Sequence, residues 1–113
     1  MASQKPKVLG VTVVTAGVPV RVVSDAESPY RYVRSAFFRP ADSNVGAVYV
    51  GDAGVSSSLY TDALVGSEKD CSTWEGDWVS QDSGNRFNYI DLYNVWVDAG
   101  TSGSSVFVTV FFI

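Results

Sequence analysis

Short runs of valine and aromatic residues, separated by glycine, proline and serine, set the strongest limit on how this 113-residue chain can fold. Valine, phenylalanine, tyrosine and tryptophan favour strands because their stiff or flat side chains pack well on a pleated surface. No amphipathic helix of useful length is visible between the turn residues. The spacing of these runs predicts an all-β protein, an antiparallel β-sandwich or jelly roll of about seven to nine strands.

The first predicted strands lie near the N-terminus. Residues 7–14 read as one strand and residues 18–23 as the next, with a turn between them. Pro19 has no N–H to give to a ladder, so it belongs either on an edge strand or at the start of a strand. Residues 1–6 have no apolar pattern and predict a flexible N-terminal arm, which leaves residues 7–113 as a single β-sandwich domain.

Other segments carry weaker or ambiguous patterns. Residues 30–39 predict a longer strand in which either face could be the core, unless a bulge switches the faces midway. Residues 52–66 predict a long connection with one short strand, and residues 88–94 allow a single helical turn. The glycine and serine residues at 100–104 predict a hairpin that ends in the terminal strand 105–113.

The inventory of reactive side chains argues against catalysis. The chain has no histidine and one cysteine, Cys71, so a Ser-His-Asp triad and a structural zinc site both lack their residues. Glycosidases use a pair of carboxylates, and closely spaced carboxylates occur at Glu68 with Asp70 and at Glu75 with Asp77. Surface loops often produce that spacing, so it is weak evidence for a catalytic pair. We expect no enzyme activity, no catalytic residue, no metal and no cofactor.

Two tryptophans are the first candidates for partner binding. Trp74 and Trp78 lie four residues apart in a stretch that reads as a polar loop. Exposed tryptophans anchor protein interfaces and can stack on sugars. The alternative is that both side chains cap the open end of the sandwich.

Basic residues form the second candidate group. Residues 1–40 carry six Lys or Arg against two acids, and residues 41–113 carry two against ten, so the halves have charges of +4 and −8. The residues that could meet an acidic neighbouring subunit are Lys5, Lys7, Arg31, Arg34 and Arg39. Alternatively, they are solvated or paired locally. An acidic chain without a basic run is a poor match for nucleic acid, and no apolar stretch approaches the roughly 20 residues that span a bilayer.

Several short motifs resemble small virion proteins of tailed bacteriophages. They are Asn44-Val45-Gly46-Ala47-Val48-Tyr49-Val50-Gly51, Ile90-Asp91-Leu92, Val95-Trp96-Val97-Asp98, Gly103 and Val106-Phe107-Val108. The resemblance covers about residues 30–113 and implies a β-sandwich of the capsid decoration, or cement, type.

This resemblance implies a homo-trimer that binds the outer surface of the major capsid protein shell and stabilises it. The implied location is the virion, after synthesis in the host bacterial cytoplasm, which agrees with a single cysteine and no evident signal peptide. A tail-tube, head-tail connector or fibre-associated subunit is the alternative. A third hypothesis is a carbohydrate-binding module that uses Trp74 and Trp78.

Overall fold

The chain folds almost entirely as antiparallel β-structure. The computed structural model describes residues 6–81 and 84–111, and it describes no side chains within 77–87. The strands are β1 Lys7–Val13, β2 Val20–Arg21, β3 Tyr32–Val33, β4 Ser35–Pro40, β5 Ala47–Gly51, β6 Asp62–Val65, β7 Ser72–Glu75, β8 Asp77–Gln81, β9 Gly84–Asn88, β10 Ile90–Asp91, β11 Trp96–Ala99 and β12 Ser104–Phe111. Two single-turn 3-10 helices cover Gly66–Glu68 and Leu92–Asn94. The predicted all-β sandwich is confirmed, but the described strands number twelve rather than seven to nine, because three of them are only two residues long.

Two four-stranded sheets build the sandwich. The first sheet has the order β1-β12-β4-β7 and the second has the order β2-β11-β5-β6. Two smaller pairs, β3 with β10 and β8 with β9, complete the described strands. The inner faces share one apolar core, which includes Val13, Val33, Ala36, Phe38, Val48, Val50, Leu92, Val97, Val106, Val108 and Val110.

The C-terminal strand β12 is a central strand of the first sheet. It pairs with β1 on one side and with β4 on the other. Val106, Val108 and Val110 are fully buried, and the residues between them point away from the core because successive side chains alternate across a strand. The apolar end of the chain therefore supplies the middle of a sheet, although Phe112 and Ile113 lie outside the described residues.

The predicted hairpin around residues 100–104 is wrong. β11 pairs with β2 and β5 in the second sheet, whereas β12 lies in the first. The turn therefore carries the chain from one sheet to the other, and the Gly103 N–H donates to the Val13 carbonyl, 2.8 Å away. Turn chemistry shows where a chain reverses, but it does not say which strands pair afterwards.

The ambiguous segment 30–39 breaks at Arg34 into β3 and β4. Val33 is buried before the break, and Ala36 and Phe38 are buried after it, so the core-facing parity changes. The Arg34 N–H donates to the Phe111 carbonyl at 2.9 Å, and the Arg34 carbonyl accepts from the Gly76 N–H at 2.8 Å. Of the alternatives that the sequence left open, the midway switch of faces is the one that occurs, and it lets one segment serve two different sheets.

Three smaller predictions agree with the structure. β2 begins directly after Pro19 and is an edge strand of the second sheet. The connection 52–66 contains β6, and the 3-10 helix Leu92–Asn94 is the single helical turn.

Among the described residues, no helix has the length and apolar character needed to cross a membrane. The predicted arm at residues 1–6 lies outside the described residues except for the exposed Pro6.

Candidate functional site

Trp74 joins the edges of the two sheets. The prediction of a loop is wrong here, because Trp74 lies in β7 and only Gly76 separates β7 from β8. Its half-buried ring packs 5.0 Å from the Phe38 ring, centroid to centroid. Its Nε1 donates to Asp62 Oδ2 at 2.8 Å, and the Ser72 hydroxyl donates to the same oxygen at 2.7 Å. Because Asp62 belongs to β6 of the second sheet, these bonds close one side of the sandwich.

Trp78 lies in a different strand from Trp74, so the two tryptophans do not share a loop. It lies in β8, where its backbone stands opposite Phe87 in the β8–β9 hairpin. Its side chain lies outside the part of the chain whose side chains are described. A stacking platform made of both tryptophans would need the Trp74 ring, which packs against the core.

The predicted basic residues separate into different environments. Lys5 lies outside the described residues. Lys7 is exposed at the start of β1, with its Nζ 5.8 Å from the Tyr30 ring centroid. Arg34 is exposed at the break between β3 and β4. Arg39 is exposed on β4, with its guanidinium 5.4 Å from the Phe107 ring centroid and 3.8 Å from an Asp42 carboxylate oxygen.

Arg31 is held by a carboxylate of its own chain. Its Nε and one terminal nitrogen donate to the two oxygens of Asp91 at 2.8 and 3.0 Å, a two-pronged ion pair. The hydrogen bond from Arg31 holds the pKa of Asp91 below its ordinary value, and the Tyr93 N–H contributes to the same shift. We therefore infer that Arg31 stabilises this region through Asp91, rather than serving first as a contact for a partner.

An arginine–aromatic ladder, which the sequence reasoning missed, surrounds this pair. The ladder consists of Trp96, Arg21, Tyr93, Arg31 and Tyr32 in that order. The Arg21 guanidinium lies 4.6 Å from the Trp96 ring and 3.7 Å from the Tyr93 ring, and Arg31 lies 4.8 Å from both tyrosine rings. Arg21 and Trp96 come together because they are register partners in β2 and β11, a pairing with no local sequence signal.

The outer side of the first sheet carries an apolar surface, here called the phenylalanine face. It consists of Val8, Phe37, Phe107 and Phe111, which alternate with the buried residues of β1, β4 and β12. Val8 is 56% exposed and Phe111 is 36% exposed, while Phe37 and Phe107 are partly exposed. Apolar residues grouped on one outer face are a common feature of protein contact sites.

An edge strand borders the phenylalanine face. β1 is an outer strand of the first sheet, and within the described ranges no strand pairs with its outer side. Val8 lies on β1 itself, opposite Thr109 of β12. An edge of this kind offers backbone N–H and C=O groups to a strand from another chain. The edge also directly follows the predicted N-terminal arm.

Two shallow cavities open on the described surface. One of about 150 Å³ is lined by Gly51, Asp52, Leu59, Tyr60 and Thr61. The other, of about 250 Å³, is lined by Phe37, Arg39, Pro40, Asp42, Lys69 and Cys71. Both are smaller than the roughly 300 to 1,000 Å³ of typical sites for drug-sized ligands. No cluster of three metal-ligating side chains occurs in the portion of the chain that the structure describes.

Comparisons with known proteins add no relative to this description. No protein-family model matches the chain. No curated protein and no solved structure matches it either. A functional assignment has therefore to be inferred from the surfaces described above and from the sequence motifs.

Proposed function

We propose that this chain is a non-enzymatic structural protein of a tailed-bacteriophage particle, a capsid decoration subunit that binds the outer surface of the major capsid protein shell and stabilises it. The observation that carries the proposal is the phenylalanine face beside β1, whose outer edge pairs with no strand among the residues that the structure describes. The resemblance of the glycine-bounded strand motifs to small phage virion proteins supports the same assignment.

The chemistry of the face fits a protein partner better than a small substrate. Aromatic side chains at the centre of an interface supply large contact areas at a small cost in conformational entropy. Arg39 lies over Phe107 on this face, so a cation is available beside the apolar contacts. We propose that the major capsid protein covers the face and places acidic groups near Arg39.

The edge of β1 provides a second mode of contact. Residues 1–6 lead directly into β1, so an extended segment of a neighbouring subunit could add to the sheet while the arm reaches the shell. Because the edge and the outer face are different surfaces, one can bind a second copy while the other binds the capsid. This division is compatible with the proposed homo-trimer, in which each copy uses the same pair of surfaces.

Binding to undecorated capsids tests the proposal. The purified chain is mixed with expanded capsids that lack it, and bound copies are counted after sedimentation. We expect hundreds of copies for each particle, whereas a head-tail connector would saturate at a ring of about a dozen. Binding of only about a dozen copies, with electron microscopy placing them on the tail or its junction, would transfer the chain to the alternative assignment.

Matched surface variants test the role of the face. Val8→Ser with Phe111→Ser removes two exposed apolar side chains from the face, and we expect it to weaken capsid binding at least about tenfold. The control is Val14→Ser with Val45→Ser, which removes side chains that are 74% and 71% exposed at positions outside the face. Equal binding by both double variants would refute the face as the contact.

Deletion of residues 1–6 tests the arm. The deletion leaves every described strand intact, so we expect a folded domain that no longer stays on capsids. Light scattering measures the solution mass of the same samples, and a mass of three chains is expected for the intact protein. Unchanged capsid binding by the shortened chain would show that the arm is not needed.

A further inference from the structure

The loop between β5 and β6 contains several local hydrogen bonds. Asp52 accepts the Gly54 N–H through its side chain at 2.9 Å and the Val55 N–H through its carbonyl at 3.0 Å. Ser56 and Leu59 exchange two backbone hydrogen bonds, at 2.8 and 3.2 Å. Val55 is buried and anchors the middle of the loop. These bonds hold the loop in one arrangement before any ligand arrives.

The same loop presents aromatic and polar groups around the 150 Å³ cavity. Tyr60 is 48% exposed, and its ring lies 5.2 Å from the ring of Tyr49 on β5, with 33° between the two planes. This contact with Tyr49 fixes the orientation of the Tyr60 ring and leaves its other side exposed. Asp52 and Thr61 add a carboxylate and a hydroxyl to the lining. An aromatic surface and oxygen groups therefore meet at one small concavity.

We propose that this cavity binds one pyranose ring of a neutral carbohydrate. The C–H-rich face of a pyranose can pack on the exposed side of the Tyr60 ring through dispersion contacts. One Asp52 carboxylate oxygen accepts from Gly54, and the other can accept from a sugar hydroxyl. The Thr61 hydroxyl can both donate to and accept from a second hydroxyl.

The balance of groups favours a sugar over a purely apolar or a charged ligand. Leu59 and Tyr60 supply the apolar part of the lining, while Asp52 would repel an anion. At about 150 Å³ the cavity is smaller than typical sites for drug-sized ligands, which favours a small ligand or one ring of a larger one. The site lies between β5 and β6, on the sheet that does not carry the phenylalanine face, and it does not depend on the proposed capsid role.

The expected affinity is weak. A hydrogen-bonded single ring with few apolar contacts, bound at a shallow site, should have a dissociation constant of about 1 to 10 mM. Two-dimensional ¹H–¹⁵N NMR of the full chain can detect such binding. The probes are methyl α-D-glucopyranoside, methyl α-D-mannopyranoside, methyl β-D-galactopyranoside and N-acetylglucosamine, each added to about 100 mM. At least one should shift the amide signals of residues 51–61 in a saturable way.

Point variants assign the effect to the cavity. Tyr60→Ala should raise the dissociation constant roughly tenfold, because the stacking surface is lost. The matched control is Tyr89→Ala, which removes a tyrosine with 49% exposure, and it should leave the dissociation constant unchanged. If Tyr60→Ala does not fold, Asp52→Asn is the second variant, because its amide oxygen still accepts from Gly54 while an NH2 group replaces the oxygen that would accept from the sugar.

Three results would overturn the proposal. They are the absence of saturable shifts with all four sugars, shifts that lie outside the loop, and unchanged affinity in both Tyr60→Ala and Asp52→Asn. Capsid binding by Tyr60→Ala is measured in parallel and should equal that of the unmodified chain. Loss of sugar binding can then be distinguished from failure of the capsid role.

Discussion

The hydrogen bond from Trp74 to Asp62 can be tested by replacing the tryptophan with phenylalanine. Trp74→Phe keeps an aromatic ring against Phe38 but removes the Nε1 donor, which lies 2.8 Å from the Asp62 carboxylate. Asp62 then keeps only the Ser72 hydroxyl on that oxygen. Since the bond joins β7 of the first sheet to β6 of the second, its loss should weaken the contact between the sheets.

The size of the effect follows from the type of bond. A hydrogen bond to a charged group contributes about 1.5 to 3 kcal/mol when it is shielded from water, and Trp74 is half-buried. For a chain of this length, 1 kcal/mol lowers the thermal midpoint by about 4 °C, so Trp74→Phe should lower it by about 6 to 12 °C. Asp62→Ala combined with Trp74→Phe should cost much less than the sum of the two single changes.

Thermal unfolding followed by circular dichroism gives the measurement, and urea unfolding gives the free energy. Thr73→Ala is the control, because Thr73 lies on the same strand with an exposed side chain. We expect the control to remain within about 0.5 kcal/mol of the unmodified chain. A Trp74→Phe midpoint within about 1 °C of the unmodified chain, or full additivity with Asp62→Ala, would refute the reasoning.

Two further predictions concern an ion pair and a close backbone approach. Arg31 holds the pKa of Asp91 below its ordinary value, so the pair stabilises the fold at neutral pH and this contribution is lost as the pH falls through the lowered pKa. Asp91→Asn should therefore cost at most about 1 kcal/mol at neutral pH and progressively less as the solution is acidified in urea unfolding, and a cost that stays constant into the acid range would contradict this. Gly66→Ala would place a Cβ 2.5 Å from the Ala41 carbonyl oxygen and should cost about 1 to 3 kcal/mol. Gly10→Ala is the control and should be close to neutral, because no atom of the described residues lies within 4 Å of the added Cβ.

Much of the fold could be predicted because strand formation leaves a local signal. The apolar runs predicted β1 and β12, and Pro19 indicated either an edge strand or the start of a strand, which agrees with β2 as an edge strand that begins at the next residue. The ambiguous pattern of residues 30–39 included a switch of faces among its alternatives. The pairing of β11 and β12 could not be predicted in the same way. A turn in sequence is compatible either with a hairpin or with a crossing between sheets, and the choice depends on contacts with distant strands.

The candidate surfaces could be predicted less well from the sequence. Tryptophan type and a polar neighbourhood left Trp74 open either to partner binding or to capping the sandwich, and Asp62, twelve residues earlier in the chain, decides what its indole donates to. Arg31 was grouped with other cations, although its carboxylate partner lies sixty residues later. The arginine–aromatic ladder and the phenylalanine face depend in the same way on which strands become neighbours.

The sequence by itself determined that the protein is all-β, that its core is rich in valine, and that it lacks the histidine side chain most used for acid–base catalysis. Only the tertiary structure decided which side chains face solvent together. The residues of the phenylalanine face come from three separate segments of the sequence. They form one surface only because β1, β12 and β4 lie side by side. The physical reason is that strand character arises from neighbouring residues, whereas a surface arises from strand order, which is selected by the burial of the shared core.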